Sequence, residues 1–201
     1  MDRAGLVNKV KIKMDEFAPE GASLPFDEYI GPTLDDSAID LLGRAPLHLL
    51  TPTALPLTGT VYNDDKSYIP VPADYIRLYE IKYPLWKKSV RKTITTEDPL
   101  YKIQENEYTR AGYARPFVAD VTTVVSGGSA TRYLECGKVV SPATPSALYV
   151  KKVKPEVLND IFADSLSWLT ASKLFSIMGY ADKAKLMMEQ FNNSILAIVN
   201  P

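Results

Sequence analysis

Apolar residues recur at Leu6, Val10, Met14 and Phe17, with spacings of four, four and three, and this predicts an amphipathic helix closed by Pro19 and Gly21. A second stripe, Leu34, Ala38, Leu41, Leu42, Ala45 and Leu49, predicts a helix that opens after Pro32 with Thr33 as N-cap and is kinked or ended by Pro46. From residue 52 the texture changes. Pro52, Pro56, Pro70, Pro72 and Pro84 forbid long helices, while Tyr, Val, Ile and Thr become common. Strands are predicted at residues 75–82, 86–95, 117–125, 131–137 and 147–153, the third and fourth joined by the hairpin signal Ser126-Gly127-Gly128-Ser129-Ala130. After Pro155, a residue suited to a first helical turn, Leu158, Phe162, Leu166 and Leu169 predict a third helix. Ile161, Trp168 and Phe175 widen its apolar face enough for burial on more than one side. Gly179 is its expected C-cap, and Ala184, Met188, Phe191, Ile195 and Ile198 predict a last helix that packs back on it.

Helices at the two ends of a chain bury their stripes only by meeting one another. The expected fold class is therefore α+β: a small antiparallel helical bundle built from N- and C-terminal helices, with an inserted antiparallel β module. The expected boundaries are 1–51 for the first helices, 52–153 for the β module and 154–201 for the closing helical hairpin. The proline-rich stretches at 19–32 and 52–72 read as extended linkers or docking arms.

With 201 residues, 46% of them hydrophobic, the chain can fill one sizeable core or one core carrying a smaller inserted module. Lysine and arginine number 23 against 24 acidic residues, so the bulk charge gives no general attraction to nucleic acid or to an anionic membrane. Cys136 stands alone, which excludes an intrachain disulfide and a cysteine-based zinc site and points to a reducing compartment. The N-terminal residues hold no apolar run of signal-peptide length, and the run 195–199 is too short to span a bilayer; a soluble protein made in a cytoplasm, with no membrane partner, is expected.

Candidate chemistry is sparse. His48, the single histidine, sits in an apolar run, and no second histidine or second cysteine is present to complete a metal shell or a triad with it. Ser89-Val90-Arg91-Lys92 spells an S-x-x-K pattern but lacks the partner motifs of serine acyl-enzymes. The acidic pairs Asp35 with Asp36, Asp64 with Asp65 and Glu97 with Asp98 fall where turns and helix starts favour carboxylates. Asn192-Asn193-Ser194 matches a glycosylation sequon without a secretion signal to bring it to that machinery. No catalytic, metal-binding or cofactor-binding residue is assigned, and no cofactor is expected. Lys82, Lys87, Lys88, Arg91 and Lys92 surround Tyr83 and Trp86 in the style of a nucleic-acid stacking surface, although the wet face of a strand gives the same pattern. The 12 tyrosines exceed what one small core absorbs, which favours an oligomer.

The stretch Ser67-Tyr68-Ile69-Pro70-Val71-Pro72-Ala73-Asp74-Tyr75-Ile76-Arg77-Leu78, followed by Trp86-Lys87-Lys88-Ser89-Val90, resembles the head-to-tail adaptor proteins of short-tailed phages. That group includes the ring proteins of crAss-like phages and the tail tubular protein A family. Gln104 to Gly112 and Arg115-Pro116-Phe117-Val118-Ala119 are similar in style, and the hairpin from Pro155 to Val199 resembles the closing helices of that family. The resemblance implies a structural role without catalysis: a homo-oligomeric ring of about twelve copies beneath the portal protein, joined below to a further tail or ring protein, through which double-stranded DNA passes without sequence preference. It places the chain in the neck or tail of the virion, assembled in the host cytoplasm. Tyr68, Tyr75, Arg77, Trp86, Tyr101, Tyr108, Arg115 and Phe117 are the candidate interface residues. The alternatives are another virion structural protein, such as a tail-tube or capsid-associated subunit, and a wall-degrading hydrolase using Glu97 or Asp98.

Overall fold

The computed structural model describes residues 1–17, 27–106, 110–124 and 130–199. The fold is α+β, with terminal helices on either side, in sequence, of a central region of mixed, open β-sheets. The chain divides into two compact units, Met1–Leu50 with Lys152–Pro201, and Thr51–Lys151.

In the helical unit, α1 (Arg3–Phe17) buries Leu6, Val10 and Met14, as its stripe requires. The second helix, α2, runs Asp27–Arg44 and so begins five residues before Pro32, not after it. Proline there leaves the Glu28 carbonyl without a helical donor, a single lost bond close to the end where helices already lack partners. Complete burial of Ile30 and Leu34 on either side of it offsets that loss. Thr33 is accordingly no N-cap; it is buried, and its carbonyl accepts a 2.7 Å hydrogen bond from Ser37 Oγ. The helix stops before Pro46, and Leu49 belongs to a separate 3-10 turn, Leu47–Leu49.

The helix expected from Pro155 starts later. Pro155–Val157 and Asp160–Phe162 are 3-10 turns, the second capped by the Asn159 side chain on Ile161 N at 3.1 Å. The helix numbered α4 here, Ala163–Ile177, packs on α1, on α2 and on α5 (Ala181–Val199). Burial all round α4 requires small or satisfied side chains on its polar positions. Ala171 is fully buried, Thr170 Oγ1 donates to the Leu166 carbonyl at 2.8 Å, Ser172 Oγ to the Ala184 carbonyl at 2.7 Å, and Ser194 Oγ to Ser165 Oγ at 2.7 Å. Gly179, at φ 82°, ends α4 with the paired bonds of a Schellman turn, Tyr180 N to Phe175 O and Gly179 N to Ser176 O. On α5 the core takes Ala184, Met187 and Phe191, with Met187 in the place expected for Met188.

In the β unit, β1 (Thr53–Ala54), β8 (Ser146–Lys151) and β4 (Tyr75–Lys82) form one sheet in that order. The second sheet has the order β2 (Val61–Asn63), β3 (Lys66–Pro70), β7 (Thr131–Gly137), β6 (Val118–Thr123) and β5 (Ile94–Thr95). Between β5 and β6 lies the short helix α3, Pro99–Lys102. The pairing is antiparallel except for β5 with β6, so the expected antiparallel module is mixed. Both sheets feed one core: Ile69, Val118, Leu134 and Cys136 from the larger meet Tyr75, Leu78, Ile81 and Tyr149 from the smaller. Buried residues on β4 recur every third position because two register shifts rotate the strand between Tyr75 and Glu80.

Two expectations fail here. Residues 86–95 are not a strand: Trp86 N bonds back to the Tyr83 carbonyl in a turn, and only the Ile81–Val90 bridge and β5 remain. The 52–72 stretch is not a free arm, because it supplies β1, β2 and β3 and buries Leu55, Ser67 and Ile69. Pro70 is tolerated in β3 because Val71 N bonds to Arg132 O on the β7 side; the Pro70 nitrogen therefore faces β2, which has already ended at the Val61–Tyr68 pair. The β6–β7 ladder closes at Thr123–Thr131, while residues 126–129 of the expected hairpin loop lie outside the described residues, as does the 19–26 part of the first expected arm.

Candidate functional site

The outer face of the five-stranded sheet carries the charged chemistry of the β unit. Register sets Tyr68, Glu135 and Ala119 in one row across β3, β7 and β6. Glu135 points away from the core, yet only 3% of it is exposed. The segment containing α3 lies over it: Tyr101 Oη donates to Glu135 Oε2 at 3.0 Å, and Lys66 Nζ is 2.8 Å from Oε1. Burial would lower the Lys66 pKa, but the hydrogen bond and charge of Glu135 together outweigh it and raise it, so the ammonium stays charged. Asp65 extends the network, accepting from Lys138 Nζ at 3.3 Å with Arg110 Nη1 at 3.8 Å.

Beside this network lies a groove of about 480 Å³. Its walls are Ile94, Leu100, Ile103 and Phe117; its cations are Lys92, Arg110 and Arg115; no carboxylate is among its described lining residues. Phe117 reaches its place because residue 137 is glycine, where a Cβ would overlap the Phe117 ring. Lys92 and Arg115 are exposed and have no ion-pair partner among the described residues. Such a groove combines apolar contact with attraction for negative charge.

The residues expected at an interface are not gathered on one surface. Trp86 is 2% exposed, tilted against Tyr83 with ring centroids 5.0 Å apart, and its Nε1 donates to the Lys138 carbonyl at 2.9 Å. Tyr75 is buried and stacked on Tyr149 at 5.9 Å; burial pushes its phenol pKa far up. Both rings are therefore core residues, and the interface role expected of them is corrected. Tyr68 is half-buried edge-on to Tyr133, Tyr101 is held by Glu135, and Phe117 lines the groove. Arg77 is half-buried, with its pKa lowered by desolvation. Arg115 is the exposed one of the described set, and Tyr108 lies outside the described residues. Lys82, Lys87, Lys88, Arg91 and Lys92 are exposed, but Tyr83 and Trp86 point inward, so the stacking surface read from their spacing does not form.

His48 is exposed in its 3-10 turn, and Ser89 lies in a loop. Asp98 caps α3, accepting from Leu100 N at 2.9 Å, and Asp64 takes a left-handed turn conformation at φ 53°. Asp35 is in mid-helix, not at a helix start, and pairs with Arg3 at 2.9 Å. Burial pushes the Cys136 thiol up to about 12, which leaves it protonated and inert. Among the described residues no cluster of His, Cys, Asp or Glu is arranged to hold a metal ion. No described helix is long and apolar enough to cross a membrane. Sequence reasoning missed Glu135, Lys66 and Arg110, and singled out Lys92 only as part of the basic run 82–92; alternation along 131–137 marks Glu135 as outward-facing, but nothing local signals that another segment covers it. No protein-family model matches the chain, and no curated protein matches it.

Proposed function

We propose that this chain is a structural subunit of a head-to-tail connector ring in a short-tailed bacterial virus. It docks below the portal protein, joins a further tail or ring protein, and forms part of the channel through which double-stranded DNA passes. The observation that carries the reading is the path of the chain: both ends build one helical unit, and the middle makes a single excursion into a β unit. That is the element order the adaptor resemblance implies. In this reading the four long helices make a small antiparallel bundle, and about twelve copies close a ring. Lys82, Lys87 and Lys88, all exposed, supply sequence-independent attraction to phosphate where they meet the channel. Virion neck or tail is the resulting location, after assembly in the host cytoplasm. Size-exclusion chromatography of the chain mixed with the portal protein of the same virus tests this. Co-elution in a stoichiometric complex supports it, and separate elution at every ratio contradicts it.

A further inference from the structure

We infer that copies of this chain associate head to tail, the exposed acidic face of α2 on one copy seating in the cationic, apolar groove of the β unit on the next. The inference deepens the connector proposal and rests on it only for closure into a ring.

Charge complementarity carries it. Between Lys13 and Arg44 the sequence holds eight acidic residues and no lysine or arginine. Within that run, Asp35 and Asp40 are engaged inside the chain, with Arg3 at 2.9 Å and Lys173 at 2.5 Å. Glu28 and Asp36 are exposed and have no ion-pair partner among the described residues. Together with Pro32 they recur at intervals of four and share one face of α2. Tyr29, beside Glu28, leaves 57% of its surface in water, an exposure that suits an aromatic anchor better than a core residue. The groove presents the opposite properties: Lys92 and Arg115, with no carboxylate partner among the described residues, beside apolar walls suited to an aromatic ring. Two different patches on one chain make a heterologous contact, and contacts of that kind propagate into rings or open chains.

Sedimentation velocity on the full chain, from micromolar to millimolar concentration, tests the contact. Association should grow with concentration and weaken as salt rises from about 0.05 M to about 0.5 M. Lys92→Glu with Arg115→Glu, and separately Glu28→Lys with Asp36→Lys, should each weaken association about tenfold or more. All four positions are exposed, so both variants should keep the wild-type circular dichroism spectrum. An equimolar mixture of the two variants should regain assembly, because each groove then meets a helix of opposite sign. The inference is overturned if the wild type stays monomeric throughout, if the groove variant associates as the wild type does, or if the mixture fails to recover. Loss of DNA retention by the groove variant with self-association intact would instead assign the groove to nucleic acid and overturn it as well. Co-elution with portal reads the connector proposal separately: portal complexes that still form when the contact has failed these sedimentation tests leave the connector proposal standing and refute this contact alone.

Discussion

Replacing Trp86 by alanine separates a core tryptophan from an interface tryptophan. The side chain is 2% exposed, packs at 5.0 Å on Tyr83, and satisfies the Lys138 carbonyl at 2.9 Å. Truncating a large buried aromatic costs about 3–5 kcal/mol, and the carbonyl left without its donor puts this site near the top of that range. Small domains are stable by roughly 5–15 kcal/mol, so the loss removes a large share of what holds the β unit together. With a urea dependence of about 2 kcal/mol per molar, the unfolding midpoint should fall by about 2 M. Trp86→Phe keeps most of the ring contact and loses the N–H, so it should cost about 1 kcal/mol. Urea unfolding followed by circular dichroism measures both variants, while the fluorescence of Trp168, the second of the two tryptophans and a residue of α4, reports the helical unit. A Trp86→Ala protein within about 0.5 kcal/mol of wild type, folded but unable to assemble, would refute the core assignment.

Gly137→Ala should destabilise the β unit by about 1–3 kcal/mol, because the new methyl overlaps the Phe117 ring. Adding Phe117→Ala should cost less than it does alone, and strict additivity in urea unfolding would contradict the contact. Burial pulls the Lys13 ammonium down to about 8 against the attraction of Asp164, with the Nζ 3.8 Å from the Trp168 ring centroid. Between that value and the ordinary 10.5 the unfolded chain binds the extra proton, so the contribution of Lys13 to stability rises with pH across this window. Lys13→Met should flatten that rise in unfolding measured from pH 7.5 to 10; an unchanged slope would place the lysine in water.

What the sequence made legible depended on how local the signal was. The α1 stripe, the Gly179 cap and the strands at 75–82 and 131–137 are set by periodicity or by a single backbone demand, and they stand where those rules put them. Pro32 misled because proline was read as a boundary, whereas the burial of Ile30 and Leu34 carries the helix through it. The prolines of 52–72 misled for a related reason: a nitrogen that needs no donor at a strand end, as at Pro70, is invisible until the register is known. Aromatic character and the adaptor-like stretch around Tyr75 and Trp86 suggest an interface, and only the packing of two sheets shows that both side chains are buried in the core. The Glu135 network and the groove depend on Tyr101 of α3 reaching Glu135 of β7 and on Phe117 lying against Gly137, tertiary facts with no local signature.

Electron cryo-microscopy of the chain mixed with the portal protein of the virus proposed for it bears most directly on the proposed connector role. The expected image is a closed ring of copies coaxial with the portal, with one continuous channel through both. Portal particles with bare ends beside unassembled chain, at concentrations where both are folded, would contradict it.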